Sequence, residues 1–264
     1  MQDQPLLLDS ITDADAGAHG RVVICGSHGG LYPAAIASRA GVRAVIFNDA
    51  GIGLERAGVA GVLALGDAGM AALALDCQSC HIGSARDAAG RGVVSLANTV
   101  ARALGVKVGM PAKSAATLLA SAPTPKTALP AVSEARQTIH LGDTLLHLLD
   151  SASLVGPEHA GEIVITGSHG GLIGGDASRA LKAPAHLAVF NDAGFGRDRI
   201  GVTRLPALDA RDIAAVTVSC QSARIGDARS ALESGKISCT NRTSRALGAV
   251  QNEQLGAWLA LLCR

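Results

Sequence analysis

Aromatic side chains make up only 2% of this 264-residue chain, with one Trp, one Tyr and three Phe. That scarcity argues against a protein that stacks single-stranded bases on aromatic platforms. Charge is scarce too, at 17% Asp, Glu, Lys and Arg, with a formal net charge of +1. Duplex nucleic acid would therefore meet no basic field. No apolar run is long and charge-free enough to suggest a membrane span. The most apolar stretch, residues 57–75, is broken by Asp67 and reads as a buried helix leading into a buried strand. The first residues lack a basic segment followed by a long apolar one, and the six cysteines are not densely spaced. The expectation is a cytoplasmic protein with reduced thiols, without nucleic-acid or membrane partners.

What the chain does have is 48% hydrophobic residues, enough for a substantial core. It also has an internal duplication. Gly26-Ser27-His28-Gly29-Gly30 recurs as Gly167-Ser168-His169-Gly170-Gly171. Asn48-Asp49-Ala50-Gly51 recurs as Asn191-Asp192-Ala193-Gly194, and Cys77-Gln78-Ser79 as Cys220-Gln221-Ser222. From Asn48 onward each residue and its copy lie 143 positions apart. The period is far too long for a solenoid. The division predicted is a first α/β repeat over residues 1–119, a Pro-containing linker over 120–146, and a second repeat over 147–264.

Within a repeat, short apolar runs (residues 21–25, 43–47 and 71–76) alternate with helical stretches at 32–39 and 54–68. A fourth short strand is expected at 93–95, and 137–141 reads as an added strand or the start of a helix. Continuous apolar strands between helices predict an α/β fold: two repeats related by a pseudo-twofold axis, each a mostly parallel sheet covered by helices. A flavodoxin-like 2-1-3 strand order is the expected core, with homo-oligomers open.

Each main strand ends in polar residues, where α/β sheets bind ligands. In a 2-1-3 order His28 lies between Asp49 and Cys77, the arrangement of an orienting carboxylate, a base and a thiol nucleophile. His169, Asp192 and Cys220 repeat it. The turns Gly29-Gly30 and Gly170-Gly171, with Ser27 and Ser168, offer backbone N–H groups and hydroxyls to a substrate. Asn48, Asn191, Ser79 and Ser222 lie beside them, and Arg86 and Arg229 are placed to clamp a carboxylate. Each residue type also has a structural use: glycine for tight turns, aspartate for caps, cysteine for packing.

Sharper motifs do not hold. Cys77-Gln78-Ser79-Cys80-His81 has the spacing of a haem attachment site, but its copy ends in Ala223-Arg224. Cys77 and Cys80 lack a second pair for zinc. The Gly-rich turn is not GxGxxG, although Asp49 follows at a dinucleotide-like distance. No metal or cofactor is expected. Cys25, Cys239 and Cys263 lack counterparts and read as packing residues.

The leading expectation is a cysteine-dependent hydrolase of a small amide or related carbonyl compound. Its substrate is small and polar, with a carboxylate as one option. The alternative is a cofactor-independent racemase, isomerase or lyase, with Cys77 and Cys220 facing one cleft. The two-half α/β layout resembles that of aspartate/glutamate racemases, in layout alone. A non-enzymatic small-molecule-binding protein ranks third.

Overall fold

A computed structural model describes residues 4–125 and 127–264. The first repeat runs β1 (Leu6–Leu8), β2 (Val22–His28), α1 (Leu31–Arg39), β3 (Ala44–Asn48), α2 (Ala60–Asp67), β4 (Ala71–Leu75), α3 (Ala85–Arg91), β5 (Val94–Ala97), α4 (Thr99–Ala103) and α5 (Ala112–Leu119). The second runs β6 (Arg136–Leu141), β7 (Thr144–Leu149), β8 (Ile163–His169), β9 (Leu187–Asn191), α6 (Arg204–Asp209), β10 (Ala214–Val218), α7 (Ala228–Ser234), β11 (Ile237–Thr240), α8 (Arg242–Ala246) and α9 (Leu255–Leu262). The repeats form two sheets, ordered β1-β2-β3-β4-β5 and β11-β10-β9-β8-β7-β6. Neighbours from β1 to β4 and from β7 to β10 are parallel. The last strand of each repeat, β5 or β11, is antiparallel, and so is β6.

Alternation along the strands explains why both faces are covered. Val45 and Phe47 of β3 face a cluster with Ala34 and Ala37 of α1 and Val62 and Leu65 of α2. Ile46 faces the opposite cluster, with Ala88 of α3 and Leu119 of α5. Every residue of β3, β4, β9 and β10 is buried. These strands must therefore be apolar throughout, which made them visible as continuous runs.

The strand order corrects the 2-1-3 expectation. The three main strands lie in the order β2-β3-β4, so the central one is β3, which ends at Asn48 and Asp49, and not the His28 strand. The crossovers supply the reason. Both α1 and α2 pack on the same face of the sheet. Right-handed crossovers that stay on one face set each new strand beside the last. A 2-1-3 order needs a reversal, with crossovers on both faces.

Other differences are local. The stretch expected as one helix over 54–68 begins as a single 3-10 turn, Leu54–Arg56, because Glu55 and Arg56 adopt left-handed φ values of 52° and 59°. Residues 137–141 fall within β6, which closes a tight hairpin onto β7 through a turn at Gly142, with φ 62°. Among the described residues the second repeat has no counterpart of α1. Two single 3-10 turns, Ile173–Gly175 and Ala177–Arg179, stand there instead.

Arg204 accounts for that loss. Its counterpart is Gly61, where a Cβ would strike Ala34 of α1 and the carbonyl of Gly30. Without a helix in that space, Arg204 extends into it and donates Nε–H to the Gly171 carbonyl at 3.1 Å.

Gly58 and Gly201 sit at a matched close backbone approach in the two repeats. A Cβ on either would collide with the carbonyl oxygen of Asp49 or Asp192. Gly58→Ala and Gly201→Ala are each expected to cost about 3 kcal/mol or more, lowering Tm by roughly 6–12 °C in a thermal melt. Gly90, with open space at its Cβ position, is the control, and Gly90→Ala should leave Tm unchanged or raise it by up to about 4 °C.

Candidate functional site

The polar strand ends of the two repeats meet across the pseudo-twofold axis and form two distinct constellations. The first is a backbone knot. Asp49 Oδ1 accepts the N–H groups of Gly51 at 2.9 Å and Cys77 at 3.0 Å. Asp192 Oδ1 does the same for Gly194 and Cys220, both at 2.9 Å. Asn48 and Asn191 accept the N–H groups of Ala50 and Ala193. These bonds hold Ala50, Ile52, Ala193 and Phe195 at φ values of 49° to 61°, strained for residues that carry a Cβ. Gly51 and Gly194, both at φ 73°, touch each other; a Cβ on either would lie 2.9 Å from the other's Cα.

The knot also ties one repeat to the other. Leu54 N–H donates to the Cys220 carbonyl at 2.7 Å, and Arg197 N–H to the Cys77 carbonyl at 2.8 Å. Gln78 donates to the Gly194 carbonyl, and Gln221 to that of Gly51. Ala50, Ile82, Ala193 and Ile225 form a small apolar cluster at the same seam. At the rim, Asp198 pairs with His81 at 2.9 Å, and Glu55 pairs with Arg224 at 3.1 Å.

Cys77 and Cys220 lie inside this knot, 5% and 3% exposed. Burial, followed by the Asp49 and Asp76 charges, pushes the Cys77 thiol up to about 12. Burial and Asp192 push Cys220 up to about 12 as well. The Asp49 carboxyl is itself raised by burial. Among the described residues no hydrogen bond joins His28 or His169 to either thiol. The strand order is the cause, because β3 stands between the His28 strand and the Cys77 strand.

The second constellation is a cleft between the repeats with a volume of about 800 Å³. Ser27, His28, Ser168 and His169 line it; the cysteines do not. In both repeats the register is irregular just before the histidine, between Ile24 and His28 and between Ile165 and His169. Such an irregularity re-aims the side chains of a strand end. Ser27 Oγ accepts the N–H of Ile11 at 3.0 Å, and Ser168 Oγ that of Ala152 at 2.9 Å.

The two ring environments match. Gly30 N–H donates to His28 Nδ1 at 3.1 Å, and Gly171 N–H to His169 Nδ1 at 3.2 Å. A ring nitrogen that accepts carries no proton, so each neutral imidazole holds its hydrogen on Nε2. Burial pushes His28 down to about 4. Burial, then the charges of Arg204 and His28, holds His169 well below its ordinary value. Both rings are neutral Nε2–H donors at pH 7, a fixed role that the expectation of a mobile base does not describe.

The remaining sequence candidates divide between the two places or fall outside them. Gly29 and Gly170 donate to the Asn48 and Asn191 carbonyls, so all four turn N–H groups expected to face a substrate are taken up internally. Ser79 and Ser222 fasten their own turns, each donating to the carbonyl three residues back. Arg86 and Arg229 are exposed on α3 and α7, and neither lines the cleft. Asp49, Asp76 and Cys77 bring ligand atoms within 4.8 Å of one another, a donor set able to meet a cation. Among the cleft residues that the sequence did not single out are Tyr32, Glu134 and Arg204. Arg204 had a signal, the replacement of Gly61 by a long cation between otherwise matching repeats. Glu134 had none, because it comes from the linking stretch.

Two measurements check this geometry. Iodoacetamide at pH 7.5, with peptide mass spectrometry, should label the part-exposed Cys239 and Cys263 first, leaving Cys77 and Cys220 protected until the protein unfolds. Fast labelling of either knot cysteine below pH 7 would contradict it. The histidines set a pH window. The unfolded ring takes up a proton near 6.5 and the folded one does not, so this stability is complete above 6.5 and is lost as pH falls towards 4. From pH 7 to 5, His28 should account for about 2 kcal/mol of lost unfolding free energy in urea titrations. His28→Gln should flatten that profile.

Comparison with known protein families, curated proteins and solved structures returns no match, so what the chain does has to be read from the cleft and the knot themselves.

Proposed function

We propose that the chain is a small-molecule hydrolase whose amide or related carbonyl substrate occupies the cleft between the repeats. One observation carries this reading: two neutral imidazoles, one from each repeat, line one cleft with Nδ1 already occupied. Donors fixed before the substrate arrives suit the negative oxygen that develops when a carbonyl is attacked, and they need no reorganisation during the reaction.

Glu134 is the proposed base. It lines the cleft, half-buried; burial raises its carboxyl, while the Ser151 and Tyr32 hydroxyls act in the opposite direction. A raised carboxyl is better matched to taking a proton from water. Water adds to the carbonyl carbon as Glu134 accepts its proton, and an imidazole Nε2–H holds the oxyanion. The C–N bond then breaks, and the proton on Glu134 leaves with the amine. The products are a carboxylic acid and an amine, with every atom of water accounted for.

This assignment moves the chemistry from the thiols to the cleft. The supporting contrast is that Cys77 and Cys220 are raised to about 12 and do not line it. The test is ammonia or amine release from a panel of small amides, ureides and cyclic imides. Glu134→Gln is expected to lower kcat about 100-fold or more. Cys77→Ser and Cys220→Ser, shown folded by circular dichroism, should hold kcat within about threefold. Loss of turnover in a folded cysteine variant, with Glu134→Gln unaffected, would return the reaction to the thiols.

A further inference from the structure

Arg204 is a cation in an unusual position. It is 3% exposed and lines the cleft. Its guanidinium stacks over Phe190 at 5.1 Å and donates to the carbonyls of Gly171, Ala180 and Arg179. Among the described residues no carboxylate pairs with it, and its Nη2 has no protein acceptor. Buried charges are ordinarily paired, because an uncompensated one is costly to desolvate. Neutral carbonyl partners orient the guanidinium and leave its charge uncancelled.

The histidines point to the same ligand chemistry. His28 and His169 offer Nε2–H, and neither Nε2 has a partner among the described residues. The basic side chains on the cleft wall, Arg179, Lys182, Arg204 and Arg224, come from the second repeat. Arg224 is already paired with Asp227 and Glu55. Arg204 is the one both buried and uncompensated.

We infer that the cleft is a carboxylate site, in which His28 and His169 are fixed Nε2–H donors and Arg204 supplies the counter-charge. The ligand class is a small mono- or dicarboxylate. In the proposed hydrolase this makes the substrate an acid that also carries the scissile carbonyl: His169, which shares Gly171 with Arg204, holds the carboxylate, and His28 holds the oxyanion. The inference rests on the cleft being the substrate site, and it does not need hydrolysis to occur.

The test uses the full chain labelled with ¹⁵N-histidine at pH 7. Long-range ¹⁵N–¹H correlation reads the tautomer of each ring, with His28 and His169 assigned from the Gln variants. Malonate is titrated as the probe, with malonamide as its neutral counterpart. The expected result is Nε2–H at both rings, saturable shifts of both with malonate, and binding about tenfold or more tighter than for malonamide. His169→Gln, which keeps an acceptor for Gly171 and a donor for the ligand, should stay within about threefold of wild type, while His169→Phe should lose about tenfold. Arg204→Gln should also lose about tenfold; should it fail to fold, the His169 pair decides.

An Nδ1–H tautomer at either ring would overturn the inference. So would malonate shifting neither ring, or malonamide binding as tightly. Malonate binding with no amide turnover would defeat the hydrolase reading alone. Amide turnover without the tautomer or the carboxylate preference would defeat this inference alone.

Discussion

Asp49 and Asp192 each bind two backbone N–H groups through a single carboxylate oxygen, and the arrangement of the molecule follows from that pair of contacts. Each aspartate joins the end of its own central strand to the turn that starts with the cysteine. In doing so it folds the following loop into left-handed backbone and presses Gly51 against Gly194. A buried carboxylate is tolerated there because N–H donors meet it. Strain of this kind persists only where the surroundings over-determine it. Here they do: each loop is also held by a hydrogen bond to the other repeat's cysteine carbonyl.

The same knot separates two sets of residues that look alike in the sequence. Cysteine and aspartate belong to the seam, where burial and neighbouring negative charge favour the protonated thiol. Histidine and serine belong to the cleft, where an irregular strand end turns them towards open volume. The copies therefore share a scaffold at the knot and share donors at the cleft.

Symmetry ends at α1. The first repeat has this helix and Gly61 packed against it; the second has single turns and Arg204 in the space. One substitution between matching repeats thus sets a guanidinium beneath one side of the cleft. A duplicated chain with two equal halves would give a twofold-symmetric cleft. In this one the basic side chains stand on the second-repeat wall and α1 on the first-repeat wall.

The duplication, the α/β class and the fully buried strands were legible in the sequence because they depend on local pattern: repeated motifs and apolar runs too short for helices. The residues of the cleft and knot were legible as polar strand ends for the same reason. Their partnership was not. Whether His28 neighbours Cys77 depends on strand order, and strand order depends on which face each crossover helix covers, a choice that α1 and α2 make together. The tautomer of His28 depends on one N–H of Gly30 reaching Nδ1, and no spacing reports that. Glu134 and Arg204 enter the cleft through a wandering connection and a missing helix. Composition and periodicity set which residues are buried, and so make two alike halves with polar strand ends readable from the chain alone. Which polar groups meet is a matter of packing between elements far apart in the chain, and it emerges only on folding.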